Sequence, residues 1–165
     1  PEKKWWLGFT PYFYLPIGDY DSERLVNLGE NRWKFREEVA TVIGLGEKWY
    51  LDLYGAVEFY MDNDDKGVES LTLEQDPAYF AEAHLSYDVS DHFYVAAEYF
   101  FKYGGETDLD GVAQDDEAKD HAGRITFGFW LKENLQLLAK YRRDLHVENG
   151  PKTQSFETRL MYLGF

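Results

Sequence analysis

Charged side chains recur at even spacings along most of this chain, so an extended backbone would turn them to one side. They are Lys34 and Arg36, Asp52 and Glu58, Glu82, His84 and Asp88, Glu98 and Lys102, Arg124 and Lys132, and Lys140 and Arg142. Carboxylates dominate the middle segments and cations the second and the later ones. Brought together in an enclosure they must pair, because an unpaired buried charge is costly. Glu82-x-His84-x-Ser86 has the residue types of a hydrolase, in which an imidazole takes a hydroxyl proton and a carboxylate orients the ring. The same spacing serves a histidine that merely satisfies interior carboxylates. Asp62-Asn63-Asp64-Asp65 and Asp108-Leu109-Asp110-Gly111 bunch oxygen ligands but lack the spaced ligands and terminal glutamate of a calcium loop. Solvated acidic loops are the simpler expectation, with no metal site, no catalytic residues and no cofactor.

The elements that must carry these residues are strands. Residues 49–62 read WYLDLYGAVEFYMD. Trp49, Leu51, Leu53, Val57, Phe59 and Met61 alternate with Tyr50, Asp52, Tyr54, Ala56, Glu58 and Tyr60. A period of two over that length predicts a strand with unlike faces, much longer than an average globular strand. The pattern repeats at 5–15, 33–45, 78–89, 92–103, around Ile125–Phe127–Phe129–Leu131, at 135–147 and at 153–165, giving eight strands. Glu37 interrupts one apolar face, and Pro11 predicts a lost ladder bond or a bulge. In the last strand Met161, Leu163 and Phe165 share a parity with Glu157 and Arg159, which predicts a bulge or a turned-in upper half. Long polar stretches (18–32, 63–77, 104–121, 148–152) alternate with tight turns at Gly46–Lys48, Ser90-Asp91 and Glu133-Asn134.

Strands of this length with one continuous apolar face suit a bilayer, which about ten tilted residues cross. The 165 residues are 44% hydrophobic and 18% aromatic at a net charge of −14. The heavy aromatic load fits a barrel whose alternate residues meet lipid, and the negative charge argues against a nucleic-acid partner. The longest charge-free run, residues 5–17, is too short for a spanning helix and holds Gly8, Pro11 and Pro16. There is no cysteine, hence no disulfide. A missing initiator methionine and signal peptide point to a processed or trimmed chain. A soluble eight-stranded barrel would turn the same faces the other way, but bulky apolar residues from eight strands would overfill so small an interior. The expected fold is therefore all-β, one domain over residues 1–165. It is a transmembrane antiparallel up-and-down β-barrel of eight strands in the bacterial outer membrane, with short periplasmic turns and long extracellular loops. At that size the sorted charges would meet across the lumen as a salt-bridged plug, the alternative being a transverse field across a pore. Trp5, Trp49, Phe93, Trp130 and Phe165 would form the interfacial aromatic belt. The partners implied are the lipid bilayer, lipopolysaccharide (its phosphates bridged to the acidic loops by divalent ions) and the barrel-assembly machinery.

Six strings, PYFYLPIGDYD, NLGENRWKF, GLGEKWYLDL, FYMDNDD, LEQDPAY and RRDLHVENG, run in order across nearly the whole chain. Together they resemble the outer-membrane family named for the meta-pathway of phenol degradation. The resemblance implies a passive, channel-type transporter of small compounds, aromatic ones included, and no catalytic residues; it does not identify the solute. Members of that family are longer, with further strands ahead of the segment matching Trp5 and about twelve in all, so this chain resembles a shortened version. A non-transporting structural or engineered barrel is the alternative. Glu82-x-His84-x-Ser86 is also similar to the constellation of eight-stranded lipid A deacylases, but the rest of the chain is not, and its face is the one turned from lipid.

Overall fold

The computed structural model describes residues 5–24 and 26–164, and every regular element among them is a strand. Eight long strands form one antiparallel sheet: β1 (Trp5–Tyr14), β2 (Lys34–Gly44), β3 (Trp49–Tyr60), β6 (Ala78–Ser90), β7 (Phe93–Gly104), β10 (Ala118–Lys132), β11 (Leu135–His146) and β12 (Gln154–Tyr162). Each pairs with the next of these in the chain, as a meander requires. Four short strands, β4 (Asn63–Lys66), β5 (Leu71–Gln75), β8 (Thr107–Leu109) and β9 (Val112–Ala113), form a second sheet at the long-loop end.

The register explains why alternate residues share a face. Leu53 stands opposite Thr41 and Ala83, and Tyr54 opposite Ala40 and Glu82, so the apolar and polar sets each continue from strand to strand. Asp52 of β3 and Lys140 of β11 line one cavity although β6, β7 and β10 separate them, so the sheet is concave on its polar side. The usual burial is inverted. Glu58, Glu98, Thr126 and Gln136 are buried on the concave side, while Leu53 is 40% exposed on the convex one. A soluble protein would be destabilised by that arrangement, whereas lipid is the natural solvent for the convex face.

Several expectations change. Among the described residues no backbone pairing joins β1 to β12, and both edge strands are exposed along nearly their whole length. The closed eight-stranded barrel is thus not what these residues form. They make a curved wall with two free edges. Pro11 sits in an unbroken register on the edge strand β1, where a missing donor is tolerated. Strand β12 also keeps an unbroken register, with Phe156, Thr158, Leu160 and Tyr162 outward and Glu157, Arg159 and Met161 inward. Its apolar face is therefore the other parity, and no bulge is needed.

Candidate functional site: the concave charged face

Glu98, near the middle of β7, is the centre of the concave face. Its side chain is only 4% exposed, and three neighbours satisfy it. Arg124, directly opposite on β10, donates from Nε at 2.9 Å and again from Nη2. Thr126 donates its hydroxyl to the other carboxylate oxygen. His84, opposite on β6, brings Nδ1 to 3.4 Å and hydrogen-bonds through Nε2 to Glu82 at 2.9 Å. Nε2 of the imidazole is thus held by Glu82, and Nδ1 faces the Glu98 carboxylate. Asp52 faces His84 from β3, with one carboxylate oxygen buried and unpartnered.

A second cluster lies toward the long-loop end. Arg36 reaches Glu58, directly opposite on β3, at 3.5 Å and donates to the Tyr54 hydroxyl, which itself donates to Glu38 at 2.9 Å. Two inward phenylalanines carry guanidinium groups on their faces. Arg36 lies 4.4 Å from the Phe80 centroid, and Arg124 and Arg142 lie 4.7 and 5.1 Å from that of Phe100. Such stacking holds arginine in place while leaving some of its donors for another acceptor. Lys140 pairs with Glu157 of β12 at 3.3 Å and Arg142 with Asp144 at 3.7 Å.

The inward charges expected from the sequence do share one face, but they pair differently. Arg124 with Glu98, Arg36 with Glu58 and Lys140 with Glu157 are neighbours on adjacent strands, not partners meeting across an enclosure. Adjacent strands are about 4.8 Å apart, so such pairs form without any closure. A cavity of about 480 Å³ remains in front of Asp52, His84, Glu98, Arg124 and Lys140. Lys34 leaves the network and donates to Glu30 of the long loop at 2.6 Å. Lys102 lies between Phe80 and Asp120 in the register, and Asp88 and Lys132 lie near the short-turn end. None of these three forms an ion pair among the described residues. Trp130 lines the concave cavity with Gln136 and is not part of the outer belt, because its parity is that of Thr126 rather than Phe127. Trp5, Trp49 and Phe93 are on the convex face, and Phe165 lies outside the described residues.

The long-loop end is more ordered than its acidic composition suggests. Asn63, 1% exposed, accepts from Asn31 at 2.9 Å and from the Asp65 amide at 3.1 Å, and donates to the Tyr20 hydroxyl and the Glu30 carbonyl, both at 3.1 Å. Arg32 donates to Gln75 at 2.6 Å, and Gln75 to the Gly105 carbonyl at 2.8 Å. Gly18 and Gly29 pack so closely that a Cβ on Gly18 would come within 2.7 Å of the Gly29 Cα. The acidic runs are used within the small sheet: Asp65 accepts from Ser70 at 2.6 Å and Asp110 from the Thr72 amide at 2.8 Å. The only sequence signal for this clamp was the polar, turn-forming content of the strings containing Asn31, Asn63 and Gln75.

A solved structure shares this fold. The crystal structure of the COG4313 outer membrane channel from Pseudomonas putida F1 superposes with a TM-score of 0.85 at 42% identity, covering 94% of this chain and 58% of that one. The chain therefore spans under two thirds of that channel's length. No curated protein matches it. The family model described as "Putative MetA-pathway of phenol degradation" matches residues 1–160. The chain belongs to that family of outer-membrane β-barrel proteins.

Proposed function

We propose that this chain forms part of the wall of an outer-membrane channel through which small solutes, aromatic ones included, move passively down their gradients. The observation that carries the reading is the concave face, where Arg36, Arg124 and Lys140 pair with Glu58, Glu98 and Glu157 within the sheet and leave a polar cavity open in front of them. A plug would need those charges to reach across and fill the space. The stacked Phe80–Arg36 and Phe100–Arg124 pairs offer aromatic solutes flat apolar contacts beside hydrogen-bond donors. The long-loop end faces the cell exterior and the short turns the periplasm, the usual arrangement of such barrels. The bilayer, lipopolysaccharide and the barrel-assembly machinery are the partners this placement brings.

The test is permeation through bilayers containing the full chain. Ohmic conductance whose ion preference moves toward cations in Arg124→Ala/Lys140→Ala supports the channel. Silence of the folded protein, with no solute uptake in liposome swelling, would leave the structural scaffold as the better reading.

A further inference from the structure

On the convex face, the outward positions of the eight long strands are nearly free of permanent charge. Among the described residues the exceptions are Glu37 on β2, Lys119 on β10 and Arg143 on β11. The two cations lie on adjacent strands at the long-loop end, exposed, and neither has an ion-pair partner among the described residues. Lys119 stands opposite Tyr103, and Arg143 opposite Gly123, which is itself opposite Tyr99. Gly123 lies four steps beyond Lys119 along β10, about 13 Å at 3.3 Å per residue. Between them a register shift sets His121 opposite His146, their rings 6.0 Å apart. His121 packs on Phe101 at 4.9 Å and bonds the Tyr99 hydroxyl, while His146 holds Glu148 at 2.9 Å. Below this group the face becomes purely apolar, with Ile125, Phe127, Tyr141 and Phe156 exposed.

Two free cations on an otherwise lipid-facing surface, in a chain of net charge −14, need an anionic counterpart at the height where hydrocarbon ends. The aromatic side chains around them are those of an interfacial girdle, able to cover the rings of a sugar headgroup. We propose that Lys119 and Arg143, on either side of the His121–His146 pair, form a binding site for the phosphorylated headgroup of lipid A, with its acyl chains running down over Ile125, Tyr141 and Phe156. The proposal rests on the reading that the long-loop end faces the outer leaflet, where that glycolipid resides. The long lysine and arginine side chains have the reach for one headgroup to engage both.

Binding of defined lipids to the full chain in detergent micelles, followed by native mass spectrometry, tests it. Diphosphorylated lipid A should bind at least about tenfold more tightly than lipid A stripped of phosphate, and Lys119→Gln/Arg143→Gln should abolish that difference. Lys119→Arg/Arg143→Lys should retain it, which guards against a merely misfolded variant, and Glu37→Gln should leave it unchanged. Equal affinity for the two forms of lipid A, or undiminished preference in the double glutamine variant, overturns the site. Phosphatidylglycerol binding as tightly as lipid A, with the same sensitivity to Lys119 and Arg143, overturns the lipid A assignment and the orientation it rests on. Conductance in bilayers free of lipid A reports on the channel separately.

Discussion

Glu98 and Glu30 show how differently one residue type behaves in the two polar regions of this wall. Glu98 has lost nearly all contact with solvent and depends on Arg124, Thr126 and His84. Arg124→Ala removes its main counter-charge and should destabilise the folded protein by about 3–5 kcal/mol, the usual cost of breaking a buried pair from one side. Replacing both partners, as in Glu98→Gln/Arg124→Gln, should cost clearly less. Urea unfolding in lipid vesicles separates the two, and equal losses would mean that Glu98 is stabilised by something other than Arg124. Glu30 sits at the mouth, where partial burial works against its charge, but hydrogen bonding and attraction from Lys34 and Arg32 outweigh it and hold the carboxyl below its ordinary range. A depressed value means stabilisation that is present above the unfolded pKa, about 4.3, and lost as pH falls through the lower folded one. Loop 15–33 should therefore become more sensitive to an acid-active protease below about pH 4. Glu30→Gln should flatten that pH dependence. At this scale the sequence told which of the charges on β2, β3, β6, β7, β10 and β11 turn inward, since parity sets the face within a regular strand. Which charges pair was not legible, because it depends on neighbouring register, and Lys34 was lost to a loop residue that no periodicity places.

Among the elements, β3 is the best test of the face assignment. Leu53 lies mid-strand on the convex side, between Thr41 and Ala83. Leu53→Arg should weaken folding into bilayers by about 2–4 kcal/mol, the penalty for a cation near the midplane, whereas Leu53→Ala should cost much less. Measured by folding into vesicles, tolerance of Leu53→Arg together with intolerance of Ala56→Arg would invert the faces. Long strands with strict alternation were readable within a residue or two, as β3 and β7 are, because a bilayer imposes one apolar face over the full span. β12 misled because Met161, Leu163 and Phe165 share one parity with Glu157 and Arg159 while Phe156, Leu160 and Tyr162 share the other, and only pairing with β11 decides between them. The small sheet of β4, β5, β8 and β9 escaped notice for a different reason. Its strands are short and set in acidic surroundings, and side-chain hydrogen bonds reinforce their backbone pairing.

At the scale of the whole molecule, the sequence showed an alternation of long and short connections, and the structure puts all long ones at one end. In intact cells an impermeant thiol label should modify Asp115→Cys in the long 105–117 connection and spare Lys48→Cys in the short turn before β3. The opposite pattern would reverse the orientation. Strand closure was not legible, because eight well-patterned strands describe a complete small barrel and part of a larger one equally well. Here β1 and β12 each present one row of backbone donors and acceptors with no strand beside it among the described residues. Water can satisfy such an edge, but hydrocarbon cannot, since each unpaired group costs several kcal/mol there. Each uncovered edge therefore lowers the stability of the wall in a bilayer, and a strand partner along it would restore what is lost. Hydrogen exchange in detergent distinguishes the arrangements. Amides of β7, flanked by β6 and β10, should be protected at least about a hundredfold more than the outward-edge amides of β1 and β12. Equal protection of all three strands, with the chain remaining a monomer, would mean that the edges have joined and that these residues close a barrel by themselves.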